Sequence, residues 1–242
     1  MNDILVIIPA RNEEKTIFNV VKGIYDSLPD VDIIVIDDNS NDYTAKYARN
    51  AKAKVFSLPF PSEGGANLIL LMYLITLKYD YKYLLKIDGD GQHMSTDLIK
   101  IKDELIKNKY DVVVGSRYIK DGVDEENGSI IKKIGRLYTQ TFLNSFLKNN
   151  IVYDPTSGLR GWSRGCLKKL VSYYLDEKSI LPEDTIFWPL EILLCDKMNI
   201  QICEVPITVK KREFGNSKSF TNYRMLKYFM TLSYNVFLFR KS

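Results

Sequence analysis

The sequence predicts an α/β protein with a mostly parallel sheet flanked by helices. Four short apolar runs, Ile4–Ile8, Ile33–Ile36, Val55–Leu58 and Tyr83–Ile87, alternate with stretches of helical character at Thr16–Leu28, Tyr43–Asn50, Gly65–Leu77 and Ser95–Lys107. That alternation reads as βαβ units. Three of the strand ends also carry polar clusters, which is where ligands bind in an open α/β sheet.

The first strand follows Met1-Asn2-Asp3 directly, with no basic leader region or small-residue cleavage site, so no export signal is expected. After the four βα units, Val112–Gly115 is expected as a fifth strand and the polar segment Lys120–Ser129 as a loop able to close over a ligand. Helices near Ile131–Leu147, Ser163–Tyr174 and Glu183–Met198 and a strand near Ile200–Val205 complete the pattern. No repeat or low-complexity linker interrupts it, so residues 1–218 are expected as one domain and residues 219–242 as a closing helix.

Within Ser219–Phe239, apolar and aromatic residues recur close to helical spacing beside Arg224 and Lys227. Such a helix suits either a membrane interface or packing on the domain. The twelve uncharged residues of Tyr228–Phe239 and the fourteen of Gly64–Leu77 both fall short of the ~20 needed to span a bilayer.

The 242 residues, 45% of them hydrophobic, suffice for one large core. Cys166, Cys195 and Cys203 form no CxxC pair and read as thiols of a reducing compartment. Val205–Ser242 holds eight basic residues against Glu213 alone, a local +7 in a chain whose total is +4. An anionic partner is expected at that end. No nucleic-acid-binding module surrounds these residues, so nucleic acid is not expected as a partner.

The three strand-end clusters are Pro9-Ala10-Arg11-Asn12-Glu13, Asp37-Asp38-Asn39-Ser40 and Asp88-Gly89-Asp90-Gly91-Gln92-His93. Alternation along an extended chain aims Asp88 and Asp90 the same way, and the intervening glycines let a diphosphate approach the backbone. Two adjacent carboxylates call for a cation between them or a proton on one, and carboxylates with substrate phosphates are how Mg²⁺ or Mn²⁺ is held. Each cluster has a plainer reading. Asp-Gly is an ordinary turn, Asn12 and Asp38–Ser40 are able to cap the helices that follow, and His93 is a local hydrogen-bonding residue.

These segments resemble family 2 glycosyltransferases, and within them the branch of dolichyl-phosphate mannosyltransferase and polyprenyl-phosphate glycosyltransferases. The resemblance runs on through Gly115-Ser116-Arg117-Tyr118, Asp154-Pro155-Thr156-Ser157-Gly158-Leu159-Arg160, Glu204-Val205-Pro206-Ile207 and Arg212-Glu213-Phe214-Gly215-Asn216-Ser217-Lys218. It implies a GT-A fold and transfer of a sugar, with inversion, from a nucleotide diphosphate-sugar to a polyprenyl phosphate at the cytosolic face of a membrane. By position, it puts Pro9, Ala10, Arg11 and Glu13 in the nucleotide pocket, Asp38 on the base, Asp88 toward the nucleotide, Asp90 and Gln92 on the metal, and Arg117, Arg136, Arg212 and Lys218 around phosphates. Many relatives carry Gly-Lys-Gly where this chain reads Glu63-Gly64-Gly65-Ala66, without the lysine.

The acceptor decides the chemistry. A lipid phosphate, with a second pKa near ~6, is already largely a dianion and needs positioning by Arg117, Arg136, Arg212 and Lys218. A glycan or protein hydroxyl needs a general base, and Asp184 in Pro182-Glu183-Asp184-Thr185 resembles the base of other family 2 enzymes. Its plainer reading is a charge at a helix N-terminus. A non-catalytic sugar-nucleotide-binding subunit is a further alternative. A nucleotidyltransferase is disfavoured, because Pro9–Glu14 contains no glycine.

Overall fold

A computed structural model describes residues 2–62, 65–126, 130–176, 186–214 and 222–241. The chain opens with β1 (Ile4–Ala10), α1 (Ile17–Ser27), β2 (Asp32–Asp37), α2 (Thr44–Asn50), β3 (Lys54–Ser57), α3 (Gly65–Thr76), β4 (Tyr83–Lys86), α4 (Asp97–Ile106) and β5 (Val112–Ser116). It continues through β6 (Val123–Asp124), α5 (Ile130–Asn144), β7 (Arg160–Ser163), α6 (Arg164–Tyr174), α7 (Phe187–Lys197), β8 (Ile202–Pro206), β9 (Thr208–Val209) and α8 (Asn222–Lys241).

Seven strands form one sheet in the order β3-β2-β1-β4-β7-β5-β8, and β6 pairs with β9 in a separate ribbon. Of the four apolar runs, those of β1, β2 and β4 form central strands, covered on both faces, while β3 lies at the sheet's edge. Leu5, Ile7, Ile34 and Ile36 pack on one side with residues of α3, α6, α7 and α8. Val6, Ile8, Ile33 and Val35 pack on the other with α1, α2 and α4. The alternation of side chains across a strand thus feeds two cores, as the mostly parallel α/β expectation requires.

The structure adds a strand that the pattern does not announce. The segment Arg160–Ser163 is β7, antiparallel between β4 and β5, pairing Leu84 with Trp162 and Val113 with Gly161. Periodicity misses it because it is four residues long and includes an arginine and a glycine. Arg160 is fully buried, and it is tolerated there because its guanidinium donates to the Ser157 and Pro155 carbonyls and pairs with Glu191. At Gly161 a Cβ would sit 2.6 Å from Ile101 Cγ2, so only glycine allows α4 this close. The loop expected at 120–129 is likewise part strand, with Val123 N–H donating to the Ile207 carbonyl. Residues 127–129 lie outside the described set.

The closing helix α8 packs on the domain through Tyr228, Leu232 and Val236, all buried, while Met230, Tyr234 and Phe237 face outward. Among the described residues no helix is long and apolar enough to cross a membrane.

Candidate functional site

The carboxyl ends of β1, β2 and β4 lie side by side, because β1 pairs with both of the others in parallel register. The loops leaving β1 and β2 are tied together. Asn12 N–H donates to Ser40 Oγ at 3.0 Å, Asn41 N–H to Asn12 Oδ1 at 2.9 Å, and Glu13 N–H to Thr44 Oγ1 at 2.7 Å. Asn12 and Asn39 adopt left-handed φ values of 58° and 54°, a conformation asparagine tolerates better than most residues. The helix-capping alternative for these clusters therefore does not hold. The first turn of α2 is served by Asp42, which accepts from Thr44 N–H, and α1 follows Thr16, which makes no side-chain cap bond.

Asp38 is buried and accepts from Ser62 N–H at 2.7 Å and Ser62 Oγ at 3.2 Å, with Arg11 Nη1 at 3.7 Å. At the end of β4, Asp88 faces Lys86 Nζ at 2.5 Å and His93 Nε2 at 3.5 Å. Burial by itself would raise the Asp88 carboxyl, but the Lys86 ammonium and His93 outweigh it and hold the group well below the usual carboxylate range. Asp90 goes the other way. Burial and then the Asp88 charge push it up, against the opposing pull of Gln92 N–H, Arg212 and His93. Glu13 is raised too, by burial and then by Asp90.

Arg212 answers this accumulation of negative charge. Its Nη2 lies 2.5 Å from Asp90 Oδ2 and 2.9 Å from Gln92 Oε1. The two oxygens thus converge on one cationic nitrogen, as a divalent metal would require. Among the described residues no three His, Cys, Asp or Glu side chains gather closely enough to hold a metal alone. The donor set fits a hard cation that completes its coordination with substrate phosphate oxygens and water.

A cavity of about 310 Å³ lies beside these groups, lined by Pro9–Arg11 and Glu13 on one side and by Lys86, Asp88, Asp90 and Trp188 on the other. Six of the residues expected in the nucleotide and metal sites therefore share one space, with Asp38 joined to it through Arg11. Two participants, Lys86 and Trp188, escaped the sequence reading, and a third, Gly158, stood in a resembling segment without a role. Lys86 is 3% exposed, and its ammonium lies 5.1 Å from the centre of the Trp188 ring. Gly158 comes so close that a Cβ there would sit 2.8 Å from Lys86 Nζ and 2.9 Å from Asp88 Oδ2. A lysine inside the apolar run Tyr83–Ile87 was a usable signal; Trp188 in an apolar helix gave none.

The remaining basic residues divide. Arg117 makes a two-pronged pair with the fully buried Asp154, Nε to Oδ2 at 2.7 Å and Nη2 to Oδ1 at 2.8 Å. Burial would lower the Arg117 pKa, but the Asp154 carboxylate more than offsets it. Arg136, on α5, stacks 3.8 Å from the centre of the Tyr118 ring, and Arg117 lies 5.0 Å from the same ring. Lys218 and Asp184 fall outside the described residues.

Residues 5–173 match the family model described as Glycosyl transferase family 2. The UDP-N-acetylglucosamine–dolichyl-phosphate N-acetylglucosaminyltransferase of Methanococcus voltae is 30% identical over 233 residues, covering 89% of this chain and 88% of that protein. The polyprenol monophosphomannose synthase of Mycolicibacterium smegmatis is 28% identical over 222 residues, covering 88% and 80%. Among solved structures, glucosyl-3-phosphoglycerate synthase from Mycobacterium tuberculosis in complex with Mn²⁺ and UDP-glucose superimposes with a TM-score of 0.67 at 20% identity, covering 96% of this chain and 77% of that one. The shared fold is GT-A.

Proposed function

This chain belongs to glycosyl transferase family 2, and from that premise we propose that it moves a sugar from a nucleotide diphosphate-sugar to a polyprenyl phosphate, with inversion and with Mg²⁺ or Mn²⁺. The observation that carries this reading is the convergence of Asp90 Oδ2 and Gln92 Oε1 on a single cation beside a cavity able to take a nucleotide. Relatives named for dolichyl-phosphate and polyprenol transfer support the choice of acceptor.

In this reading the nucleotide lies along Pro9, Ala10, Arg11 and Glu13, with its base toward Asp38 and Asp88 at the nucleotide end. The diphosphate lies at Asp90 and Gln92, where a bound divalent cation neutralises the charge that builds on the leaving group. Lys86 and His93 keep Asp88 ionised and fixed. Because a lipid phosphate arrives largely as a dianion, the protein has to orient it and not deprotonate it. Arg136, Arg212 and Lys218 supply the positive charge, and Arg117 holds the Asp154 and Tyr118 wall beside Arg136. Asp184 is then dispensable.

Contact with the cytosolic face of a membrane belongs to the same reading. α5 exposes Ile130, Ile134 and Leu137, and α8 exposes Met230, Tyr234 and Phe237. Each set is spaced i, i+4, i+7 and so forms one stripe. The two helices touch through Tyr138 and Phe229, whose ring centres are 4.5 Å apart. Two apolar stripes on adjoining helices, one of them in the basic C-terminal part of the chain, suit the headgroup region of an anionic bilayer. Residues 1–218 serve as the catalytic domain and the closing helix as part of this face.

The test is a panel of nucleotide-sugars with Mn²⁺, Mg²⁺ or EDTA, with and without farnesyl phosphate, reading nucleoside diphosphate release. Release is expected to need both the metal and the lipid phosphate, to vanish in Asp90→Ala and Arg212→Ala, and to survive Asp184→Asn. Turnover that ignores farnesyl phosphate, or that depends on Asp184 and not on Arg212, overturns the assignment.

A further inference from the structure

The grip on Arg212 is unlike that on Arg117. Arg117 meets Asp154 with two nitrogens on two oxygens, the planar match that arginine makes with a carboxylate. Arg212 spends a single nitrogen, Nη2, on both Asp90 and Gln92, while its Nε is buried without a hydrogen-bond partner. A buried donor left unpaired costs free energy that a fork would have recovered. The oxygens are arranged for a point charge, and the guanidinium is a poor fit to them.

The backbone on either side suggests how Arg212 moves. Lys210 is fixed to the metal-binding turn by two bonds, its N–H donating to the Gln92 carbonyl at 2.8 Å and its carbonyl accepting from Gln92 Nε2 at 3.1 Å. Val209 bridges to His93 just before it. Two residues after Arg212, the Phe214 ring lies 5.2 Å from the Lys15 ammonium on its other flank. The backbone of Arg212 is thus flanked by a tether to Gln92 and a contact with Lys15, while among the described residues its own side chain hydrogen-bonds through Nη2 alone.

We propose that Arg212 and the divalent cation are alternative occupants of the Asp90 and Gln92 oxygens. The arginine serves as an internal counter-ion in the metal-free protein and is expelled when metal binds. Expulsion frees its guanidinium for the phosphate of the acceptor, so the acceptor is captured after the metal and not before. This rests on the reading of Asp90 and Gln92 as metal ligands, and makes Arg212 a positioning residue whose availability reports the state of the donor side.

The experiment measures binding of Mn²⁺ alone to the intact chain by calorimetry and by the electron paramagnetic resonance of free Mn²⁺. It compares the parent protein with Arg212→Ala, Lys210→Met and Asp90→Ala, each checked by thermal unfolding. Removing a competitor held by charge-assisted bonds should tighten Mn²⁺ binding about tenfold or more in Arg212→Ala. Lys210→Met, which deletes a nearby positive charge that does not touch the oxygens, should change it less than threefold. Farnesyl phosphate should bind the parent more tightly with Mn²⁺ present than without, and Arg212→Ala should lose that dependence. Unchanged or weaker Mn²⁺ binding in Arg212→Ala overturns the competition, and so does equal tightening in Lys210→Met, which would mark a general field effect. If Asp90→Ala binds Mn²⁺ like the parent, or if neither the parent nor Arg212→Ala binds it, the metal reading itself fails.

Discussion

Asp154→Ala tests whether Arg117 acts mainly through its buried partner. Asp154 is fully buried and accepts from Arg117 three times, through the backbone N–H at 3.2 Å, Nε at 2.7 Å and Nη2 at 2.8 Å. Its loss leaves a guanidinium that is 18% exposed with, among the described residues, one remaining hydrogen bond, Nη2 to Thr156 Oγ1 at 3.4 Å, and the Tyr118 ring 5.0 Å away. Removing one member of such a pair costs about 3–5 kcal/mol, because the survivor stays charged and unpaired. Arg117→Ala should cost a similar amount for the mirror-image reason. The double variant removes both charges, so it should fall short of the sum of the single effects by about 2–3 kcal/mol. Urea unfolding followed by the fluorescence of Trp162 and Trp188 supplies all three values. Single effects below about 1 kcal/mol, or additivity within about 0.5 kcal/mol, would refute the reasoning. If Arg117→Ala loses farnesyl phosphate binding at unchanged stability, Arg117 meets the acceptor directly.

Two further outcomes follow from other parts of the molecule. Gly158→Ala places a methyl group 2.8 Å from Lys86 Nζ and 2.9 Å from Asp88 Oδ2, so it should cost about 1–3 kcal/mol in overpacking and weaken calorimetric binding of a nucleoside diphosphate with Mn²⁺ at least tenfold; unaltered affinity would mean that Lys86 swings aside freely. Leu137→Glu combined with Met230→Glu puts charge on two side chains that are 53% and 66% exposed. Stability should stay within about 0.5 kcal/mol per site, while co-sedimentation with anionic phosphatidylglycerol vesicles should drop at least tenfold, and undiminished sedimentation would exclude this face.

The apolar runs were enough to announce β1, β2, β4, β5 and β8, since a strand covered on both faces leaves a continuous hydrophobic record in the chain. The clusters after β1, β2 and β4 were legible for a related reason: a parallel sheet puts the carboxyl ends of its strands at one edge, so the order of residues already implied their meeting. β7 left no such record. It is short, contains a glycine required by the approach of α4, and buries Arg160 against groups from other parts of the chain.

The tertiary structure alone decided how the charges are paired. Arg117 with Asp154 and Arg212 with Asp90 are separated by thirty-seven and one hundred and twenty-two positions, and pairing at long separation is a property of the folded surface and not of local pattern. By itself, the sequence determined which residue types gather at the sheet's edge and the chemistry they are suited to. Burial and distance then settled which arginine is locked in a fork and which is held by one nitrogen, because an ion pair's geometry exists only once distant segments are packed together.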